Sequence, residues 1–183
     1  MKATQILMEE HEVILRVIAA LEKAAGRLES GQMRAGFFLD AAEFIKGFAD
    51  GCHHKKEEGV LFVAMTAHGI PQQGGPIGVM LAEHEQGRAY TRGMKEAAEK
   101  LEAGDGSAGE AVIANARGYA ALLRQHITKE NNILFPMADR VISSTSQEKV
   151  AEDFERIEHE ETGAGVHEKY EALAERLESE ANA

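Results

Sequence analysis

Laid over itself at an offset of 73 residues, without gaps, this 183-residue chain repeats its rarest features. Glu10-His11-Glu12 falls on Glu83-His84-Glu85, His53 on His126, Lys56 on Lys129 and Glu57 on Glu130. Leu61-Phe62 falls on Leu134-Phe135, and Leu28-Glu29 with Gly31 falls on Leu101-Glu102 with Gly104. Any two helical hairpins share Ala, Leu and Glu. They do not share two histidines and a glutamate on core faces at one ungapped offset. A helical hairpin duplicated in this way closes into an antiparallel four-helix bundle with approximate two-fold symmetry.

The periodicity agrees. Five segments carry apolar residues at 3–4 spacing. The first, about 4–28, aligns Leu7, His11, Ile14, Ile18 and Leu21. The second, about 36–67, aligns Phe38, Ala42, Ile45, Ala49, His53, Glu57 and Val60. The third, about 76–102, starts at Pro76, a residue suited to a first helical position, and aligns Ile77, Met80, Leu81, His84 and Thr91. The fourth, about 110–140, aligns Tyr119, Leu122, His126, Glu130, Ile133 and Met137, with Ser107 and Glu110 reading as a capping box. The fifth, about 146–180, is interrupted by Gly163 and Gly165. The expected fold is all-α: an antiparallel up-down four-helix bundle over 1–142, with a C-terminal fifth helix over 143–183 packing on it within the same domain.

Composition narrows the function. The net charge is −11 with no basic block, which argues against nucleic acid and against an anionic membrane surface. No apolar run approaches the ~20 residues that span a bilayer. The opening MKATQILMEEHE turns acidic by residue 9 and lacks a secretion signal's apolar core. One cysteine, Cys52, cannot form an internal disulfide. These features predict a reducing, cytoplasmic setting.

The inner faces collect His11, His53, Glu57, His84, His126 and Glu130. One His-x-x-x-Glu is an ordinary surface pair, a buried hydrogen bond or half of a metal site. Two copies at offset 73, each with a Glu-His-Glu helix, favour the metal site. Buried carboxylates without partners are costly, and two near a pseudo-two-fold axis repel each other. Metal cations resolve both problems, and imidazole plus carboxylate suits iron, zinc or manganese. Four histidines and two glutamates exceed one ion's needs. With both glutamates bridging, two histidines per metal and one shared oxo or hydroxo group, each metal has five ligands and one open position. That coordination fits iron better than structural zinc, which prefers four ligands.

The stretches EEHEVI, HHKKEEGVLF, GPIGVMLAEHEQGR and HITKENNILFP resemble the hemerythrin-like family, in its HHE cation-binding branch, over residues ~8–137. The last two also resemble di-iron proteins that repair damaged iron centres. The resemblance implies a four-helix bundle around a non-haem, oxygen-bridged centre of two iron ions. It assigns His11 to the first helix, His53 and Glu57 to the second, His84 to the third, and His126 and Glu130 to the fourth. His54 and Glu58 have the same spacing as His53 and Glu57; the repeat offset and the distance to Leu61-Phe62 select the latter pair. There are departures. The turn that holds a fifth histidine in oxygen carriers holds Met80 and Arg88 here. The cysteine-bearing N-terminal domain of the repair proteins is absent from this sequence. Val63 stands where the family usually has proline.

Further residues enter as candidate extra ligands or supporting groups: His159, His167 and Tyr170 in the fifth segment, and Cys52 and His54 beside His53. For the fifth segment, a packing helix with solvated histidines is the simpler reading.

The expected function is binding or reduction of small oxidants (dioxygen, hydrogen peroxide or nitric oxide) at the di-iron centre, with catalase-like chemistry as one form. Two classes stay open: an enzyme acting on peroxide or nitric oxide, and a non-catalytic sensor, carrier or iron donor. A metal-free helical adaptor is disfavoured by the inward-facing ligands. The expected partners are a small diatomic ligand or peroxide and an unidentified redox partner.

Overall fold

The computed structural model describes residues 2–163 and 165–183, without the side chains of 160–162. Helix α1 spans Ala3–Glu29. Helix α2 covers 35–67 as α-helical Ala35–Phe44, π-helical Ile45–His54 and Glu57–Leu61, and α-helical Phe62–Ala67. Helix α3 spans Pro76–Glu102. Helix α4 covers 109–141 as Gly109–Lys129, a π-helical turn Glu130–Leu134, and Phe135–Val141. The described residues form no β-strand.

The four long helices run antiparallel to their neighbours. Between α1 and α4 the partners descend in number as they ascend: Thr4 with Asp139, His11 with Asn131, Glu22 with Arg124 and Glu29 with Arg117. Between α3 and α4, Glu83 meets His126 while Gly93 faces Asn115. The two hairpins end their first helices alike. Gly31 and Gly104 adopt φ of 72° and 102°, left-handed values that glycine takes without steric cost. Beyond them, the Gln32 N–H donates to the Arg27 carbonyl and the Asp105 N–H to that of Lys100.

The capping box expected at Ser107 and Glu110 does not form. Asp105 caps a short 3-10 turn, Gly106–Ala108, accepting from the Ser107 N–H and hydroxyl. Ile133, expected on the inner face of α4, is 55% exposed, and Leu134 is buried instead. Val60, the repeat equivalent of Ile133, lies in the matching π-helical turn and is buried, in a segment packed against residues 144–156, so cover by that neighbouring segment decides which of the two is exposed.

The fifth segment is two helices, α5 over 144–162 and α6 over Val166–Asn182. They part at Gly163 and Gly165, whose φ values of 102° and 81° stop the helix. Ser143 caps α5 by accepting from the Ser146 N–H. Helix α6 lies against both α1 and α2. Its Tyr170 packs over Gly47 and meets Phe44 and Phe48 edge-on or tilted.

The core is two apolar clusters with a polar layer between them. One holds Ile14, Phe44, Phe48, Met94, Leu123 and Leu177. The other holds Leu7, Phe62, Met65, Ile77, Phe135 and Phe154. Between them lie Glu10, His11, His53, His54, Lys56, Glu57, His84, His126 and Glu130, all buried.

Candidate metal centre

All six residues of the repeat-derived set meet in that layer, and His54 joins them. Their donor atoms form two groups, each within 4.8 Å internally. His54, Glu57, His84 and His126 make the first; His11, His53, Glu57 and Glu130 make the second. Both glutamates reach across. Glu57 places Oε1 3.5 Å from His53 Nε2 and Oε2 3.4 Å from His84 Nε2. Glu130 places Oε1 3.1 Å from His126 Nε2 and Oε2 3.2 Å from His11 Nε2. Despite these distances, the four carboxylate oxygens and Nε2 of His11 and His53 make no directed hydrogen bond. Buried polar atoms nearly always have partners. Six orphaned ones converging on a common space fit cations there, and the nitrogen and oxygen donors suit a first-row transition metal.

Each imidazole is oriented from behind through Nδ1. His11 uses Asn131 Oδ1 at 2.8 Å, His53 Glu10 at 2.8 Å, His54 Asp50 at 2.8 Å, His84 Glu58 at 2.7 Å and His126 Glu83 at 2.9 Å. Carboxylate and amide oxygens only accept, so Nδ1 carries a proton in each ring and Nε2 faces inward, its lone pair open to a cation once that nitrogen gives up any proton. The supports obey the repeat. Glu10 and Glu83 are 73 apart, as are Glu58 and Asn131. Lys56 donates to Glu10 and Lys129 to Glu83. Phe135 stacks on His11 at 5.5 Å between ring centroids, and Phe62 on His84 at 6.1 Å. The Leu-Phe echo in the sequence is therefore the apolar wall behind the repeat-related histidines. Arg88, in the turn without a fifth histidine, donates to Glu58 and pairs with Asp50, steadying the supports of His84 and His54.

The electrostatics match. In the absence of a metal, burial alone disfavours charge on His53, but Glu57 and Glu10 outweigh it and push its pKa up to about 10. Burial is likewise outweighed at His84 by Glu57 and Glu58, giving about 9. Glu57 is held well below the ordinary carboxylate range despite its burial, through His53 and His84. Protons thus stand in for the missing positive charge. His54 is the exception: burial and its histidine neighbours lower its pKa well below the ordinary value, so it stays neutral.

Of the other candidates, His159, His167 and Cys52 lie outside both groups. His159 is exposed. His167 sits 3.5 Å from Glu158 and packs edge-on against Phe48. Tyr170 occupies the notch at Gly47. Cys52 is buried near Glu10 and His167, with its thiol pushed up to about 11 by burial and by the Glu10 charge. Lys56, which bonds Glu10 and Glu158, already supplies the cation there.

The family model for the hemerythrin HHE cation-binding domain matches residues 2–138. The chain belongs to this family. The hemerythrin HHE region covers all four bundle helices except the last residues of α4, and leaves α5 and α6 outside. Among curated proteins, the chain is similar to the uncharacterized proteins Rv1995 of Mycobacterium tuberculosis H37Rv and Mb2018 of Mycobacterium bovis. Each is 26% identical over 166 residues, covering 88% of this chain and 63% of the relative. The chain thus spans less than two thirds of the length of these relatives. No solved structure matches it significantly. No helix among the described residues is long and apolar enough to cross a membrane.

Sequence reasoning missed the outer carboxylates Glu10, Asp50, Glu58 and Glu83. The repeat did contain Glu10 and Glu83, as the first residue of each Glu-His-Glu. Their role needed the neighbouring helix to be in place.

Proposed function

We propose that this hemerythrin HHE chain holds two iron ions between Glu57 and Glu130 and uses them to bind or reduce a small oxidant. The observation that carries the reading is the unpartnered state of Glu57 and Glu130: Glu57 belongs to both donor groups, and Glu130 belongs to the second and reaches His126 of the first at 3.1 Å. Bound iron supplies Lewis acidity and one-electron redox chemistry toward dioxygen, peroxide or nitric oxide. The protein's part is placement. The two glutamates hold the cation positions side by side, and the Nδ1 supports keep every imidazole lone pair inward. Phe62 and Phe135 wall the layer with apolar surface, which keeps water away from the histidines. A cytoplasmic setting agrees with the single free thiol of Cys52.

Metal analysis of protein expressed with iron, with an optical spectrum, tests the centre. Two irons per chain and near-ultraviolet to visible absorption are expected; a zinc-containing, colourless protein overturns it. Peroxide then separates enzyme from binder. Steady oxygen evolution over many cycles marks a catalase-like enzyme. Uptake of one equivalent followed by arrest marks a sensor, carrier or donor.

A further inference from the structure

The two halves of the polar layer are built by a repeat, yet they are not equal. The repeat pairs His54 with Ile127 and Asp50 with Leu123. Ile127 and Leu123 belong to the apolar cluster. His54 instead brings its donor atom within 4.8 Å of those of Glu57, His84 and His126.

Its repeat equivalent Ile127 is buried beside His126 on a regular α-helix, so this position faces the interior in both halves and the histidine side chain makes it a donor in one. Polar and ring contacts then orient it. Asp50, one turn back, accepts from His54 Nδ1 at 2.8 Å, and Arg88 pairs with Asp50 at 3.5 Å. The His54 ring stacks on that of His84, with centroids 3.8 Å apart and planes 20° apart. His54 is 3% exposed and has the same Nδ1-supported geometry as the other four histidines.

We propose that His54, oriented by Asp50, is a seventh metal ligand. It makes a three-histidine position with His84 and His126 beside a two-histidine position with His11 and His53, and the three-histidine position fills first. This rests on the metal-centre reading above and replaces an even division of histidines with a graded one. One additional imidazole in a fixed orientation favours a borderline divalent metal at that position. Removal of a support such as Asp50 costs about 10–100-fold in metal affinity, and loss of the ligand itself costs at least as much.

Anaerobic titration of the metal-free, full-length chain with Co²⁺, followed by its visible absorption, tests this. The wild-type chain is expected to take up two equivalents in two resolved steps. His54→Ile installs the residue of the other half. It is expected to weaken the tighter step about 10–100-fold, so that the steps merge. Asp50→Asn is expected to keep both steps and weaken the tighter one about tenfold. If His54→Ile does not fold by circular dichroism, His54→Gln and Asp50→Asn carry the test. Two wild-type steps that stay unchanged in these variants overturn the role of His54 and leave the metal centre standing. A wild-type chain that takes up no Co²⁺ overturns the metal centre itself.

Discussion

Glu10 and Glu83, 73 residues apart, do the same work on opposite sides of the bundle. Each accepts the Nδ1 proton of a histidine on the adjacent helix, and each takes a lysine on its other oxygen. The two arms differ only in cover. Lys56 is wholly buried, with Glu158 of α5 as a second partner, whereas Lys129 is 36% exposed.

That difference predicts unequal costs of removing the lysine. Lys56→Met leaves Glu10 charged and buried, and is expected to destabilise the fold by about 3–5 kcal/mol. Lys129→Met faces water and is expected to cost about 0–1 kcal/mol. Chemical denaturation of both variants in the same metal state measures the gap. Equal costs would show that the α5 cover is energetically idle.

The shared glutamates are expected to control metal stoichiometry. Glu57→Ala removes the carboxylate common to both groups, and Glu130→Ala the one that lies between His11 and His126. Each variant is expected to retain one metal or none after desalting, against two for the wild type. Wild-type content in either variant argues against a bridging role for that residue.

Stability should depend on pH in opposite senses with and without metal. Without metal, His53 and His84 have pKa values raised from 6.5 to about 10 and about 9. Their contribution is complete below 6.5 and is lost as pH rises through about 9 to 10. Glu57 and Glu130 are lowered from 4.5, so theirs is present above 4.5 and lost on acidification. These four groups therefore favour the metal-free chain most between 4.5 and 6.5, while His54, whose pKa is lowered from 6.5, works the other way as pH falls through that window. Metal displaces those histidine protons, so the rise in Tm on metal loading should grow from pH 6.5 upward. Thermal melts of both forms across that window check it; a pH-independent difference would contradict it.

The C-terminal helices are expected to dock through Tyr170. A Cβ on Gly47 would clash with the Tyr170 hydroxyl and ring. Gly47→Ala must move the ring, and is expected to cost about 1–3 kcal/mol. Because Tyr170 packs on the apolar cluster with Phe44 and Phe48, metal content should stay unchanged. Loss of metal in this variant would tie α6 to the centre.

Much of this was legible in the residues. The 3–4 spacing located the helices, because the α-helical pitch is local and imposes its period on any chain that buries one face. The offset of 73 picked out His11, His53, Glu57, His84, His126 and Glu130, because a duplicated hairpin must put equivalent residues in equivalent places. Family membership followed from the same stretches.

The rest depended on contacts between helices. Ile133 is exposed while its repeat equivalent Val60 is buried, and His54 joins the donors where its equivalent Ile127 joins the apolar core. Periodicity cannot register either, since it treats both copies alike. Glu10, Asp50, Glu58 and Glu83 looked like solvated charges. They became supports only when packing brought an imidazole Nδ1 to each. By itself the sequence determined which residues face inward and in what two-fold pattern, because helical pitch and duplication are written along the chain. Only the tertiary structure decided that five histidines divide three and two, because that depends on which side chains meet across helices.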